Sequence, residues 1–359
     1  MIDPERFASL LCDWCLEVAS GQVILVNSTR LAEPLLDALH TAILDRDAWP
    51  VMEMESPAWG AGFYAHAHDR HLDGASPAEL AIAETIDARL RIDAPANAAA
   101  LAEVDPARLV RAARGRGELR RRLLARRWAG TLWPTASLAQ LAGMSEAHYE
   151  GFVQRALFLD HDDPIAAWRA LSDRQAELVA RLSGARTIRI EAEDTDLTLD
   201  VGGRTWINSD GRRNMPSGEV FTGPHEHSAN GTIRFDVPSN GRGAEVAGVE
   251  LTFKDGAVVG AHAHIGDQYL QAALATDSGS RFLGELGIGT NTGIDRATGS
   301  TLLDEKMAGT VHLALGRSYP ETGGTNKSAL HWDLICDLRK GGRVSVDGKL
   351  LIQNGRFVG

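Results

Sequence analysis

Hydrophobic positions in the first half of the chain alternate between two rhythms. The unbroken apolar run Val23-Ile24-Leu25-Val26 and the stretch from Trp49 to Met54 predict buried strands, and Leu90-Arg91-Ile92 predicts a third. Between the first two, residues 30–45 take helical spacing through Leu31, Leu35, Leu36, Leu39 and Leu44. Helix starts are marked by cap chemistry. Asp3-Pro4 opens a helix that runs to about Val18, Ser76-Pro77-Ala78-Glu79 is a capping box, and Asp105-Pro106 opens another helix. Strands separated by helices predict a parallel sheet with helices on its faces.

Residues 163–182 form the clearest helix: Asp163-Pro164 caps it, and Ile165, Trp168, Leu171, Leu178, Val179 and Leu182 mark one face. Past Ser183-Gly184 the rhythm changes. Strands are predicted at Thr187–Ile190, Leu197–Val201, Thr205–Asn208, Ile233–Val237, Val246–Phe253 and Val258–His264, with one helix near 267–276. The expected fold is therefore α/β: an N-terminal helix/strand domain with a parallel sheet over residues 1–184, followed by a β-rich α+β domain over 185–359.

Composition narrows the partners. In 359 residues, 37 Lys and Arg stand against 48 Asp and Glu, a net charge of −11 that would repel nucleic acid and anionic membrane surfaces. No apolar run approaches the roughly 18–20 residues that span a bilayer. Met1-Ile2-Asp3-Pro4-Glu5-Arg6 lacks the basic and apolar regions of a signal peptide, and three cysteines fit reduced thiols, so a cytoplasmic location is expected. Cys12-x-x-Cys15 lies inside the first helix rather than after a strand, which favours core packing over redox chemistry. The basic stretch from Arg111 through Arg127 has no interleaved aromatic residues and is expected to be a solvated helix face or a subunit contact. Gly284-Glu285-Leu286-Gly287-Ile288-Gly289 lacks the spacing of a nucleotide-binding loop.

The chemistry is concentrated in the second half, where polar clusters interrupt apolar strands: Asn214–Phe221, Gly284–Gly289, Asp304–Lys306 with Gly309–Gly316, and Ala329–Ile335. Each sets a carboxylate or imidazole among apolar residues, where an unpaired charge is costly. These groups either stay at the solvent edge or are paired. His331 and Asp333, two apart on a strand, share a face and are plausible metal ligands. Alone, such a pair is more often a structural hydrogen bond, and His312 alone is more often a satisfied core histidine. Taken together, Glu219, Glu285, Glu305, His312, His331 and Asp333 offer four carboxylates and two imidazoles within one domain. If they converge, self-repulsion calls for about two divalent cations, which would bring the charge near zero. A two-cation site supports hydrolysis by polarising a carbonyl and acidifying a bridging water.

These motifs, with Leu11–Cys15, Asn214–Pro224, Gly284–Asn291, Asp304–Gly316 and Arg317–Asp333, resemble the M29 metallo-aminopeptidases of the aminopeptidase T type along almost the whole chain. The resemblance implies a dinuclear site (two divalent ions: Zn, Co or Mn), release of N-terminal residues from peptides with a free N-terminus, and a homodimer. Carried over by position, Glu219, Glu285, Glu305, His312, His331 and Asp333 would be ligands, with Glu285 bridging. Tyr319 would be the catalytic tyrosine, stabilising the oxyanion, while Glu285 or Glu219 shuttles the proton to the leaving amine. Glu305 stands two residues further from His312 than in longer members, and the segment from Tyr319 to His331 is shorter.

Two other readings compete. His312, His331 and Asp333 alone satisfy the set of a mononuclear non-haem iron ring-cleaving dioxygenase, but leave Glu219, Glu285 and Glu305 unexplained. A non-catalytic peptide-binding protein would leave Tyr319 without a role. Of the remaining histidines, His66, His68 and His71 are expected in a surface or interface loop. A cavity or packing role is expected for His262 and His264, and a solvent-facing turn for His225 and His227.

Overall fold

The computed structural model describes residues 1–241 and 244–358, and their fold is the expected α/β type. The chain divides into two compact units, Met1–Ile165 with Gly211–Pro216, and Ala166–Asp210 with Ser217 onward. The helix Pro164–Leu182 thus goes with the second unit from Ala166 on, whereas the expected boundary near 185 lies at its far end.

In the first unit a parallel sheet runs in the order Trp49–Glu55, Val23–Thr29, Ala88–Asp93, Arg127–Leu132, Asn214–Met215. The caps act as the sequence predicts: the side chains of Asp3, Ser76 and Asp105 accept backbone N–H groups of the first turn. Strand Arg127–Leu132 has no unbroken apolar run to announce it, and Asn214–Met215 returns to the sheet from far along the chain, beside Gly130, whose N–H donates to Arg213 at 2.7 Å. Cys12 and Cys15 are buried in a π-helical turn, Leu11–Cys15, that continues the first helix. The basic stretch forms two helices, Pro106–Gly115 and Gly117–Leu124, with ion pairs such as Arg111 to Asp73 at 2.7 Å and Arg122 to Glu118 at 2.8 Å.

The second unit contains two sheets. The larger orders Ser239–Gly241, Ala244–Lys254, Asn230–Phe235, Thr195–Asp200, Thr187–Ala192, Arg343–Val346, Lys349–Gln353 and Arg356–Phe357, with Ala257–Ile265 also paired to Ala244–Lys254. The smaller orders His331–Asp337, Thr310–Gly316, Leu283–Gly289, Glu219–Thr222 and Ile207–Ser209, all antiparallel. Leu286, Ile288, Val311, Leu313, Leu315 and Leu334 of this small sheet share one buried cluster with Ile188, Ile190, Leu197, Leu199 and Ile233 of the large one. That burial leaves the small sheet's opposite face free for other chemistry. Among the described residues no helix is long and apolar enough to cross a membrane.

Candidate metal centre

Strand register assembles the opposite face. Glu285 pairs with Ala314, which pairs with Asp333 on its other side; Gly316 pairs with His331; Gly287 lies between Phe221 and His312; Gly289 pairs with Glu219. With a period of two, Glu219, Glu285, His312, His331 and Asp333 all project from one face. The residues between them are small because the face is crowded. A Cβ on Gly287 would lie 2.0 Å from His312 Cε1, so that imidazole lies directly over the glycine. A Cβ on Gly289 would lie 2.1 Å from the Met307 carbonyl.

Glu305 reaches the same place from outside the sheet, at the end of the short helix Thr301–Asp304. The Asp304 carboxylate holds the loop ahead of this helix by accepting Thr298 N–H, Thr298 O–H and Gly299 N–H at 2.7–2.8 Å. Asn291 N–H donates to the Lys306 carbonyl at 3.0 Å, and Ala308 N–H donates to the Asn291 carbonyl at 3.1 Å. These bonds set the segment carrying Glu305 and Lys306 against the end of strand Leu283–Gly289.

The six expected residues converge. His312 Nε2 lies 3.4 Å from Glu219 Oε2 and 3.5 Å from Glu285 Oε1. His331 Nε2 lies 3.4 Å from Glu285 Oε2 and 3.6 Å from Asp333 Oδ1. Three sets bring their donor atoms within 4.8 Å of one another: Glu219–Glu285–His312, Glu285–His331–Asp333 and Glu305–His312–Asp333. His331 Nδ1 donates to the Arg317 carbonyl at 2.8 Å, which turns Nε2 towards the carboxylates.

Burial makes the bare cluster costly. Glu219 and Glu285 are 5% and 4% exposed, Asp333 9%, and His312 is fully enclosed. Glu219 Oε2, Asp333 Oδ1 and both His312 ring nitrogens are buried with no hydrogen-bond partner. Burial pushes the Glu219 and Glu285 carboxyls above their usual range. Asp333 is pushed up to about 6 by burial and by Glu305. Burial also raises Glu305, but the ammonium of Lys306 and the His312 imidazole outweigh it and hold that carboxyl low. For His312, burial disfavours the charge, yet Glu285 and Glu219 carry it up to about 9. The Tyr319 phenol is shifted upward by partial burial and by Glu285 and Asp333, and so stays protonated. Its ring sits 5.2 Å from that of His331 and 5.5 Å from that of Phe221. Orphaned, buried oxygen and nitrogen acceptors in sets of three fit divalent cations with mixed carboxylate and imidazole coordination.

Two residues of the site were given no role by the sequence. Lys306 is fully buried, with Nζ 3.3 Å from Glu219 Oε1 and hydrogen-bonded to Glu305. Gln175, on the helix Pro164–Leu182, donates through Nε2 to the Glu219 carbonyl, anchoring the strand that carries Glu219. For the first, its place at the end of the polar cluster Asp304-Glu305-Lys306, just before Met307-Ala308-Gly309, was the one hint. The other histidines stand elsewhere. His66 and His68 are exposed at the ends of short helices, where a loop was expected, and His71 caps one of them by accepting His68 N–H at 3.0 Å. His262 and His264 are exposed rather than packed. His225 and His227 are exposed as well, and His225 donates to the Gly202 carbonyl at 2.8 Å.

An α/β protein with a buried carboxylate–imidazole face fit to hold divalent metal is the class that this fold and face define, and comparison with known proteins makes it specific. The thermophilic metalloprotease (M29) family matches residues 3–357, and the chain belongs to that family. It is similar to Aminopeptidase 2 of Geobacillus stearothermophilus, with 32% identity over 96% of this chain and 94% of that one. It is also similar to Aminopeptidase T of Thermus aquaticus, with 30% identity over 64% of this chain and 63% of that one. In fold it matches wild-type AmpT from Thermus thermophilus, with a TM-score of 0.86 and 24% identity over 99% of each chain. The protein is a metallo-aminopeptidase, a hydrolase that uses divalent metal.

Proposed function

We propose that Glu219, Glu285, Glu305, His312, His331 and Asp333 hold two divalent cations (Zn, Co or Mn), with Glu285 bridging, and that the enzyme removes N-terminal residues from peptides with a free N-terminus. The observation that carries this reading is the posture of Glu285. Its two oxygens approach different imidazoles, and it belongs to both the Glu219–His312 and the His331–Asp333 sets. Cations bound there would polarise the scissile carbonyl and acidify a bridging water. The chain's own groups supply the rest. Tyr319 keeps its proton and donates it as a hydrogen bond to the developing oxyanion. Glu219 and Glu285, both raised by burial, are the carboxylates placed to carry a proton to the leaving amine. A cation or a carboxylate of this face would hold the substrate's free α-amine, which selects for an unblocked terminus.

We also propose a homodimer, which the resemblance implies, and a cytoplasmic location. Three buried free cysteines support a reducing compartment. The test of the activity is an unblocked dipeptide beside its N-acetylated form, with and without chelator. Release of a free amino acid only from the unblocked form, lost with chelator and restored by added Zn, Co or Mn, is the expected result. Equal cleavage of both forms would overturn the exopeptidase reading, and oxygen uptake on an iron-loaded sample would favour the dioxygenase.

A further inference from the structure

Lys306 is a fully buried lysine at the centre of an acidic cluster, and the mechanism above gives it no task. Its two carboxylate partners are Glu219, at 3.3 Å, and Glu305. Each of those belongs to a ligand set built around His312, while the set Glu285–His331–Asp333 contains neither. The hydrogen bonds between Asn291 and the backbone of Lys306 and Ala308 fix the segment in place. An ammonium removed from water survives only when paired, so it stays with its carboxylates whether or not cations arrive. A cation bound at Glu219 or Glu305 therefore shares its ligand with a resident positive charge. In a low-dielectric interior the repulsion between the two is poorly screened. Loss of the orienting hydrogen bonds acts in the opposite direction, but it is the smaller effect beside a full charge.

Resting on the two-cation reading, we propose that Lys306 is a positioning residue that makes the two cation positions unequal: the position at His331 and Asp333 fills first and tightly, and the position at Glu219 and His312 is the weak, exchangeable one. The experiment is calorimetric titration of the metal-free full chain with Zn²⁺, paired with the visible absorption of Co²⁺ as each position fills. The wild-type chain should show two separate steps, and His331→Ala should remove the tight one. Lys306→Met should tighten the weak step by at least about tenfold, and Lys306→Arg should keep the steps apart. If Lys306→Met does not fold, Lys306→Gln carries the same expectation. Two equal steps in the wild type, or a weak step unchanged or loosened in the uncharged variants, overturn the role of Lys306 and leave the two-cation site standing. A wild type that takes up a single ion overturns both.

Discussion

The small sheet of the second unit has two faces of opposite chemistry built from the same strands. Leu313 stands between His312 and Ala314, and Trp332 between His331 and Asp333, so each strand supplies one residue to the core for each residue it supplies to the site. The apolar face is satisfied by packing against the larger sheet. The acidic face holds four buried or half-buried carboxylates, with orphaned oxygen and nitrogen atoms that packing cannot satisfy. The contrast shows where stability and function reside: the core face holds the acidic face in a geometry that the acidic face, left to its own repulsion, would not keep.

Changes to the two faces should therefore act in opposite ways. The largest effect is expected from Glu285→Gln: peptide hydrolysis falls to background and metal content drops, while the metal-free chain melts no lower than wild type because a buried charge has been removed. A clear fall in its melting temperature would break the comparison. Next is Tyr319→Phe, which should lower kcat by about 10²–10³ with metal content unchanged, as expected for loss of one oxyanion donor. Leu313→Ala, on the other face, should cost about 2–5 kcal/mol in denaturant unfolding while the folded fraction keeps its specific activity. Smallest is a pH effect. In the metal-free chain His312 keeps a proton up to about pH 9 and Asp333 up to about pH 6, and a cation must displace both. Metal affinity should therefore rise with pH across that window, with protons released on loading. Calorimetry in buffers of different ionisation heat reads that release directly; identical heats in all buffers would contradict it.

Local signals carried much of this architecture. The caps at Asp3, Ser76 and Asp105 and the apolar run Val23–Val26 act within a few residues, and each corresponds to an observed element. Period-two spacing likewise placed His331 with Asp333 on one face. Strand Arg127–Leu132 was invisible because its residues mix charged, small and apolar types, and Asn214–Met215 because its pairing is set by a chain return of about eighty residues. Register decided which site atoms meet. That Glu285 faces both imidazoles follows from the unbroken register Glu285–Ile288 against Ala314–Val311, and the irregularity falls just beyond it, at Gly284, where a Cβ would lie 2.3 Å from the Gly316 carbonyl. Glu305 and Lys306 arrive from a helix end held by Asn291 and by the close approach at Gly289, contacts without any periodicity to announce them.

The most direct test of the central claim is the metal content of the purified, metal-loaded protein by elemental analysis, alongside Glu285→Gln and His331→Ala. Two equivalents of Zn, Co or Mn per wild-type chain, with at least one lost in each variant, is the expected result. One equivalent or none in the wild type, or full loading in both variants, would contradict it.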